Sequence, residues 1–403
     1  MIQNHQTRLT IAYFSAFFVL GMTAAVLGPS LLRLADQTGA SLGRVSVFFP
    51  VRAGAYLAGS WISGTLYDRY RGHRLLVMAL IIMGLTLVLV PLVPVLGVVV
   101  GVLVVLGLGM GLLDVGCNTL LIWAHRSRTG PYLNGLHFFY GLGSFAAPLI
   151  LAQAYRLEGG VRAGYWILAG LTLPVVIQLI PLPSPSQGED QGTEAPEQDP
   201  SKGSRALTLQ MVFLSLFLFA YVGMEVGFGG WIFTFGVQSD LVTEVTGGYL
   251  TSAFWGAFTM GRLLSVPLAS RFQPRVILTA DLGGAVVCLA SLSLWSSSPV
   301  VVWAGTVGLG LAIASVFPTA LSLAERRLSL SGKLTSWFFV SGGLGAVVVP
   351  WLIGKLVEGA GPVMIPQVLL GTAVLSGGIY GIYLWVSRAE NLPRGENNRT
   401  RAG

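Results

Sequence analysis

Twelve apolar stretches, each long enough to cross a lipid bilayer, dominate this sequence and leave few folds open to it. About 20 apolar residues cross the hydrocarbon core as a helix, and in lipid each segment must satisfy its own backbone polar groups. We therefore predict an all-α membrane protein with 12 transmembrane helices, numbered 1 to 12 in chain order. The predicted helices cover 9–33, 45–66, 74–93, 96–122, 131–154, 163–182, 208–236, 247–269, 275–295, 299–324, 333–356 and 363–387.

Low charge agrees with a protein that is surrounded by lipid. Only 10% of the 403 residues are charged and 53% are hydrophobic, whereas soluble domains carry about 25% charged residues. The formal charge of +7 comes from basic residues in short runs between apolar stretches, so no nucleic-acid partner is expected. Cys117 and Cys288 have no spaced partner, which argues against a metal site and against a disulfide framework. The first apolar stretch lacks a convincing cleavage site, and we interpret it as a retained helix.

The distribution of lysine and arginine predicts the orientation in the membrane. Most of the 24 basic residues lie in the two termini and in the loops after helices 2, 4, 6, 8 and 10. Cytoplasmic loops are enriched in these residues, so we expect both termini in the cytoplasm. The predicted location is the cell inner membrane.

A polar segment in the middle of the chain predicts two bundles joined by a linker. Between Pro183 and Arg205 the sequence is rich in Pro, Ser, Gln and acidic residues, a composition typical of flexible, solvated chain. The predicted domains are a six-helix bundle at 1–182, a disordered cytoplasmic linker at 183–206, a second six-helix bundle at 207–387 and a cytoplasmic tail at 388–403.

The two halves carry an internal repeat. Moving the second half back by 201 or 202 residues superimposes many of its glycines on glycines of the first half. The matches are Gly223 and Met224 with Gly21 and Met22, Gly256 with Gly54, Gly261 with Gly59, Arg271 with Arg69, Arg275 with Arg74, Gly308 with Gly107, Gly310 with Gly109, and Gly343, Gly345 and Pro350 with Gly141, Gly143 and Pro148. A nearly constant shift over five helix pairs is typical of gene duplication. We therefore expect two pseudo-symmetric six-helix bundles.

The end of helix 2 and the loop after it carry an acid among basic residues. The segment Gly64-Thr-Leu-Tyr-Asp68-Arg69-Tyr-Arg-Gly-His-Arg74 resembles the G-x-x-x-D-R-x-G-x-R loop of the major facilitator superfamily, with one residue inserted. Such a cluster at a helix end can lock two helix ends in one state and release them in another. We predict a gate at these four residues. Positive-inside charge is the alternative, but it does not explain Asp68.

Asp114 and Asn118 are polar residues inside helix 4. An ionisable residue within a membrane helix is costly and marks a functional site by default. The two residues lie one turn apart, so they share a helix face. Their repeat partners are Ser315 and Thr319, so the scaffold itself does not require the acid. A functional pair is predicted here, with an interhelical hydrogen-bonded pair as the alternative.

Helices 5 and 7 add further polar groups. Helix 5 carries Asn134 and His137, and His137 is expected at the depth of Asn118. For His137 a binding role and a satisfied core histidine are equally supported. Glu225 in helix 7 has Thr23 as its repeat partner, so this acid also belongs to one half only.

Two tryptophans are candidates for stacking on a solute ring. Trp231 follows Glu225 in a glycine-rich part of helix 7, where paired glycines can loosen the helix and expose its backbone to a cavity. Trp255 in helix 8 is the second candidate. For Trp231 the alternative is an aromatic residue at the membrane interface.

Other charged residues and prolines inside helices are predicted to be structural. Arg262 in helix 8 and Asp281 in helix 9 lie at comparable depth, and we interpret them as an ion pair. Arg52, in the outer half of helix 2, is expected near Asp36 or solvent and is assigned no role. Pro318 and the prolines of helices 5 and 11 are hinge candidates.

Helices 4, 5, 7 and 8 share a distinctive set of residues with one transporter branch. The set is Gly111, Asp114, Gly116, Asn118, Trp123, Leu136-His137-Phe138, Gly143, Pro148, Tyr221-Val-Gly-Met-Glu225-Val-Gly-Phe-Gly-Gly-Trp231, Phe254-Trp255 and Gly261-Arg262. It resembles the sodium-dependent glucose transporters among the major facilitators and, more distantly, the bacterial fucose–proton symporters. The similarity spans nearly the whole chain outside the linker.

This resemblance implies secondary transport of a neutral hexose or similar polyol by alternating access. In the fucose symporters an acid that matches Asp114 takes part in proton coupling, so Asp114 and Glu225 are predicted to couple a cation. The predicted substrate ligands are Asn118, Asn134, His137, Glu225, Trp231 and Trp255. Those symporters carry a second coupling acid in helix 1, where this chain offers only Ser15 and Thr23. The coupling ion therefore stays open between H⁺ and Na⁺.

Two other functions are compatible with the sequence. An efflux transporter of the same superfamily would also place acids in its cavity, and it would carry drugs or metabolites outward. A membrane sensor that has lost transport would need a soluble signalling segment larger than the linker and the tail. An enzyme is not expected, because the sequence shows no nucleophile–base set and no cluster of metal ligands. We expect a monomer without a cofactor other than the coupling ion, with a hexose as its small-molecule partner.

Overall fold

The computed structural model describes residues 2–126, 129–185, 205–325 and 332–389. In these ranges the regular structure is helical, and the helices form twelve membrane-spanning units. The predicted fold class, an all-α bundle of 12 helices, is confirmed. Apart from their edges, the predicted linker at 183–206 and the predicted tail at 388–403 lie outside the described residues.

Six helical units form the first half of the protein. They are helix 1, Ile2–Ala25 and Leu27–Thr38; helix 2, Phe48–Arg69; helix 3, Gly72–Leu89 with a 3-10 turn Val90–Leu92; helix 4, Leu96–His125; helix 5, Thr129–Ala154; and helix 6, Gly160–Gly170 and Thr172–Leu179. A short helix, Leu42–Val45, connects helices 1 and 2.

Six further units form the second half. They are helix 7, Arg205–Gln238; helix 8, Glu244–Arg271; helix 9, Pro274–Leu294; helix 10, Pro299–Ile313 and Val316–Glu325; helix 11, Gly332–Ala360; and helix 12, Met364–Ala389. Because the number of crossings is even, helix 1 begins and helix 12 ends on the same side of the bundle. We call this the terminal side and the opposite one the far side.

Helices 2 and 8 are more polar than the other ten. Ten units carry apolar stretches of membrane-spanning length and hydropathy. Helices 2 and 8 have 22 and 28 residues, so they are also long enough to cross the bilayer at 1.5 Å per residue. They pack between the halves, with helix 2 against helix 11 and helix 8 against helix 5. Their polar residues are thereby kept away from lipid.

Three helices are interrupted near prolines. Helix 1 breaks at Val26, three residues before Pro29, and helix 6 breaks at Leu171, three residues before Pro174. Helix 10 breaks between Ile313 and Val316, just before Pro318. Proline lacks an N–H group and its ring crowds the carbonyl four residues earlier, which accounts for the three positions. By contrast, the hinge candidates Pro148 and Pro350 lie inside the continuous helices 5 and 11.

The two halves repeat the same close contact between helices. A Cβ atom on Gly143 of helix 5 would fall 2.0 Å from the carbonyl oxygen of Phe18 in helix 1. A Cβ atom on Gly345 of helix 11 would fall 1.9 Å from the carbonyl oxygen of Phe219 in helix 7. Gly143 and Gly345 are partners in the sequence repeat, so the duplication is visible in the packing as well.

Polar contacts join the halves on the far side. Arg33 Nη2 of helix 1 lies 2.6 Å from Glu244 Oε2 at the start of helix 8, and this is the ion pair found among the described residues. Gln153 Nε2 of helix 5 donates to Tyr249 Oη of helix 8 at 2.6 Å. Both contacts connect the first half to the second.

Backbone and ring contacts complete this closure. A Cβ atom on Gly28 of helix 1 would fall 2.8 Å from the carbonyl oxygen of Gly230 in helix 7, so the two backbones touch. Phe49 of helix 2 packs on Trp231, with 5.8 Å between the ring centroids. Neither glycine has a side chain that could separate the two backbones.

On the terminal side the halves part. The hydrogen bonds, the ion pair and the ring contacts that join described residues across the halves all lie in the far half of the bundle. The pairs nearest the terminal side are Gly141 with Thr259 and Gly343 with Leu57. Among the described residues, the contacts that hold the halves together are therefore on the far side, and the terminal side is the more open one.

Candidate solute-binding site

Asp114 lies in a small polar cluster between helices 2 and 4. Its Oδ2 accepts a hydrogen bond from Tyr56 Oη of helix 2. Its Oδ1 accepts one from Asn118 Nδ2 at 2.9 Å, and the same amide also donates to the Asp114 carbonyl oxygen at 3.0 Å. The carboxylate is therefore turned towards helix 2 and away from acyl chains, and both of its oxygens are engaged.

Tyr140 lies between this cluster and the second half of the protein. It is on helix 5, next to Gly141, which packs on Thr259 of helix 8. Its hydroxyl is within electrostatic reach of four charged side chains, Arg52 and Asp114 from the first half and Glu225 and Arg262 from the second. A role for Tyr140 was not predicted from the sequence. Its position one turn after His137 in helix 5 is the signal that could have identified it.

His137 and Asn134 lie on the part of helix 5 that faces the open terminal side. Both side chains are exposed. The His137 ring packs edge-on against Phe17 of helix 1, with 5.6 Å between centroids, and it lies within electrostatic reach of Arg262. Neither side chain has a hydrogen-bond partner among the described residues, so both are free to contact a solute.

Glu225 enters the central region from helix 7. It is half-buried, and it interacts electrostatically with Arg262 of helix 8 and with Tyr221 one turn earlier. Arg262 places its guanidinium over the ring of Phe258, with 4.5 Å from Cζ to the centroid. Acid and base therefore occupy the same wall of the second half.

The predicted ion pair between Arg262 and Asp281 is not present. Asp281 Oδ2 instead accepts a hydrogen bond from Ser315 Oγ, at the break in helix 10. Asp281 turns to helix 10, while Arg262 turns to helices 5 and 7. Sequence position alone does not determine this rotation about the helix axis.

The two tryptophans occupy different environments. Trp231 is 0% exposed, and its indole N–H donates to the Pro350 carbonyl oxygen at 2.9 Å. It belongs to the far-side closure, so in this conformation it does not offer a ring face to a solute. Trp255 is 9% exposed, packs against Phe254 and Phe258, and has a buried indole N–H without a partner among the described residues.

The sequence suggested that Arg52 lies near Asp36 or solvent, but its hydrogen bonds place it elsewhere. Its Nη1 donates to the carbonyl oxygens of Thr23 and Ala24, at 3.2 and 2.9 Å. These carbonyls belong to the last turn of the first segment of helix 1, where acceptors lack partners within the helix. The arginine therefore faces the interior of the bundle.

The predicted gate residues lie at the terminal end of helix 2. The side chains of Asp68, Arg69 and Arg74 are exposed, and within the described part of the chain Asp68 makes no ion pair. A Cβ atom on Gly64 would meet nothing within 4 Å. Within the described ranges, the three charged side chains form no ion pair.

The sequence is similar to known membrane carriers. A family model described as Major Facilitator Superfamily matches residues 11–396. Sodium-dependent glucose transporter 1 of Xenopus laevis is 29% identical over 361 residues, which are 83% of this chain and 73% of that protein. Major facilitator superfamily domain-containing protein 4A of Mus musculus is 26% identical, over 87% of this chain and 86% of that protein.

Solved structures share the fold. A bacterial homologue of the human lysosomal transporter Spinster, in an inward-facing and occupied conformation, matches with a TM-score of 0.78 at 12% identity, over 95% of this chain and 97% of that one. The inward open conformation of the xylose transporter XylE from E. coli matches with a TM-score of 0.70 at 13% identity, over 93% and 96%. At such identities the likeness concerns the fold alone.

Proposed function

The chain belongs to the major facilitator superfamily, and from this premise we propose that it carries a small neutral solute, a monosaccharide, by alternating access coupled to H⁺ or Na⁺. The observation that supports this most is the Asp114 cluster, an intramembrane acid whose hydrogen-bond partners come from helices 2 and 4. Similarity to sodium-dependent glucose transporters supports the solute class. Family membership also agrees with a carrier rather than an enzyme.

The residues around the cavity divide into two roles in this proposal. Asp114 exchanges the coupling cation, and Glu225 is the second acid within reach of the same tyrosine, Tyr140. Asn118, Asn134 and His137 hydrogen-bond the solute hydroxyls. Trp255 packs its ring on the solute, and Trp231 joins it only when the far side opens.

The conformation supports alternating access as the mechanism. The contacts between the described parts of the two halves are concentrated on the far side, which agrees with a state in which a solute enters from the terminal side. In the opposite state the far-side contacts separate, while Asp68, Arg69 and Arg74 engage the terminal ends of other helices. We place the terminal side in the cytoplasm, because Lys and Arg are concentrated there.

The remaining features of the proposal follow from the sequence. The protein is a monomer of the cell inner membrane with both termini in the cytoplasm. Its solute-binding bundles are 1–182 and 207–387, joined by the linker at 183–206 and followed by the tail at 388–403.

Replacement of the coupling acid tests the proposal. In proteoliposomes, Asp114→Asn is expected to abolish sugar accumulation driven by a proton or sodium gradient, because the neutral amide cannot exchange a cation. Sugar exchange without a gradient is expected to continue. Asp281→Asn is the matched control, since Asp281 is also an intramembrane acid with a hydrogen-bond donor but lies outside the cluster. Full gradient-driven accumulation by the Asp114 variant would disprove the coupling role.

A further inference from the structure

Two arginines inside the bundle have no carboxylate partner at ion-pair distance within the described part of the chain. Arg52 of helix 2 and Arg262 of helix 8 are both half-buried. Among the described residues, the ion pair within 4.0 Å is formed by Arg33 and Glu244 instead. A charge in a membrane helix is costly and is retained where it faces a cavity or a partner. The described residues therefore supply neither guanidinium with a carboxylate within 4.0 Å.

Arg52 has hydrogen-bond donors to spare. Only its Nη1 is engaged, by the Thr23 and Ala24 carbonyl oxygens. These two bonds fix the guanidinium against the broken end of helix 1. No described residue accepts a hydrogen bond from its Nε or Nη2. A guanidinium held on one edge presents its other edge as a rigid fork, the geometry that suits paired oxygen acceptors.

Arg262 has the same property on the opposite wall. Its Nε is buried and without a partner among the described residues, and its guanidinium rests on Phe258. Both arginines act electrostatically on Tyr140, so they approach one region from the two halves. Glu225 lies near Arg262, whereas the electrostatic neighbours of Arg52 are the tyrosines Tyr140 and Tyr165. The uncompensated positive charge is thus on the side of Arg52.

We propose that Arg52 and Arg262 form a clamp that holds oxygen acceptors of the solute, one arginine from each half, with Arg52 providing the forked contact. This inference rests on the proposed function and names the chemical groups of the solute that the site holds. Hydroxyl and carboxylate oxygens are accepted, whereas an ammonium group in the same place is repelled by Arg52. A clamp with one arm in each half is completed only while the solute bridges the halves, which links binding to their relative movement.

Three hexoses that differ in charge test the clamp. Binding of D-glucose, D-glucuronate and protonated D-glucosamine to the purified full-length protein is measured by calorimetry. The wild-type protein is expected to bind the glucosamine most weakly. Arg52→Gln is expected to weaken D-glucose or D-glucuronate by about tenfold, the effect of losing a hydrogen bond to a charged group. It is also expected to reduce the discrimination against glucosamine. The hexose that loses more affinity identifies the oxygen that Arg52 holds.

Two matched variants separate charge from geometry. Arg52→Lys keeps the charge but lacks the fork, so it should still discriminate against glucosamine while binding the other hexoses less tightly. Arg44→Gln removes an exposed arginine eight residues away and should change nothing. Unfolding temperatures establish that each variant is folded. If folded Arg52→Gln binds all three hexoses within twofold of wild type, the clamp is disproved and the proposed function is unaffected.

A second readout does not depend on sugars. Lactate, glycerol and ethanolamine carry the same three charges and are tested by their effect on the unfolding temperature. If no hexose binds but lactate stabilises wild type and not Arg52→Gln, the monosaccharide proposal fails and the clamp stands. If neither the hexoses nor lactate act through Arg52, the clamp is disproved.

Discussion

Asp114 shows how strongly a single carboxylate depends on its neighbours in this protein. Each of its oxygens accepts one hydrogen bond, from Tyr56 and from Asn118. Hydrogen bonds to charged groups contribute about 1.5–3 kcal/mol each. The two donors therefore stabilise the ionised carboxylate, and a cation that binds to it competes with them. Asn118 is on the same helix and moves with Asp114. Tyr56 is on helix 2, and it alone connects the acid to a second helix.

Removing the Tyr56 hydroxyl should therefore impair coupling more than it impairs folding. In Tyr56→Phe one carboxylate oxygen loses its donor, and we expect gradient-driven accumulation to fall by about tenfold. Tyr67→Phe is the control, because Tyr67 is also on helix 2 but donates to the Leu112 carbonyl oxygen at 3.0 Å. That variant should lower the unfolding temperature without changing the accumulation ratio. Equal transport by both variants would contradict the role of Tyr56.

At the residue scale the sequence predicted which side chains share a helix face, but not which neighbouring helix they meet. Asp114 and Asn118 were expected on one face, because residues four apart share it, and the Asn118 amide indeed donates to the carboxylate. Tyr56 was not expected, since its contact depends on how helix 2 is positioned against helix 4. The positions of Trp231 and Asp281 were not predicted for the same reason. Trp231 packs into the far-side closure, and Asp281 faces Ser315. The rotation of a helix about its axis is decided by its neighbours, and no periodicity within one helix records it.

Among the helices, the closest packing is found where glycine lets backbones touch. Gly143 and Gly345 hold equivalent positions in the two halves and bring helix 5 onto helix 1 and helix 11 onto helix 7. Small residues at such contacts are the common means of helix association in lipid. These two pairs are therefore equivalent backbone contacts in the two halves.

A methyl group at this contact should be destabilising. In Gly143→Ala the new Cβ would lie 2.0 Å from the Phe18 carbonyl oxygen, so helices 1 and 5 must separate. We expect a loss of about 1–3 kcal/mol, the usual cost of overpacking, measured as thermal unfolding in detergent. Gly101→Ala in helix 4 is the control, because a Cβ there meets nothing within 4 Å. A Gly143 variant as stable as the control would show that the helices part easily.

At the element scale the sequence predicted the number and order of the helices, and most ends fell within a few residues. It predicted the interruptions near prolines only in part. Of the hinge candidates, Pro318 lies near a break, whereas Pro148 and Pro350 lie in continuous helices. Pro29 and Pro174 also lie near breaks and were not selected. A break leaves backbone carbonyl oxygens without their helical N–H partners, and within the bilayer the protein itself must supply other donors. Two of the breaks have such a donor nearby. Arg52 serves the break in helix 1, and Tyr221 Oη donates to the Ile313 carbonyl oxygen at 3.1 Å at the break in helix 10.

For the molecule as a whole, the balance between its two access states depends on contacts at the far side. The ion pair between Arg33 and Glu244 joins the halves at 2.6 Å. It is partly exposed, and exposed ion pairs contribute about 0.2–1 kcal/mol. Because the pair exists only while the far side is closed, its whole contribution favours the state that is open to the terminal side.

Loss of this ion pair should shift the protein towards opening on the far side. We expect Glu244→Gln and Arg33→Gln each to raise the far-open population by up to about fivefold, without adding in the double variant because they break one contact. Pulsed electron paramagnetic resonance between spin labels at Thr38 and Asp240 measures the separation. Glu158→Gln, an exposed far-side acid without an ion pair among the described residues, is the control. Distances that match the control in all variants would exclude this role.

At this scale the sequence repeat predicted two similar bundles, and the fold agrees. The repeat could not predict which side is open, because both access states are compatible with the same duplicated bundles. It also could not predict that the polar groups would be so unequal between halves. In the sequence repeat, Asp114 corresponds to Ser315 and Glu225 corresponds to Thr23, so each acid has a hydroxyl residue as its repeat partner. The scaffold is symmetric, and the chemistry is not.

The contact of Gly28 with Gly230 has a consequence for leakage. At this contact the backbones of helices 1 and 7 touch, so there is no side chain between them whose rotation could let water molecules pass. Local fluctuations at that point therefore leave the membrane insulated, and the barrier can be removed only by displacing an entire helix. A carrier built in this way would dissipate little of the ion gradient while idle, and its basal conductance would report whole-helix movements alone.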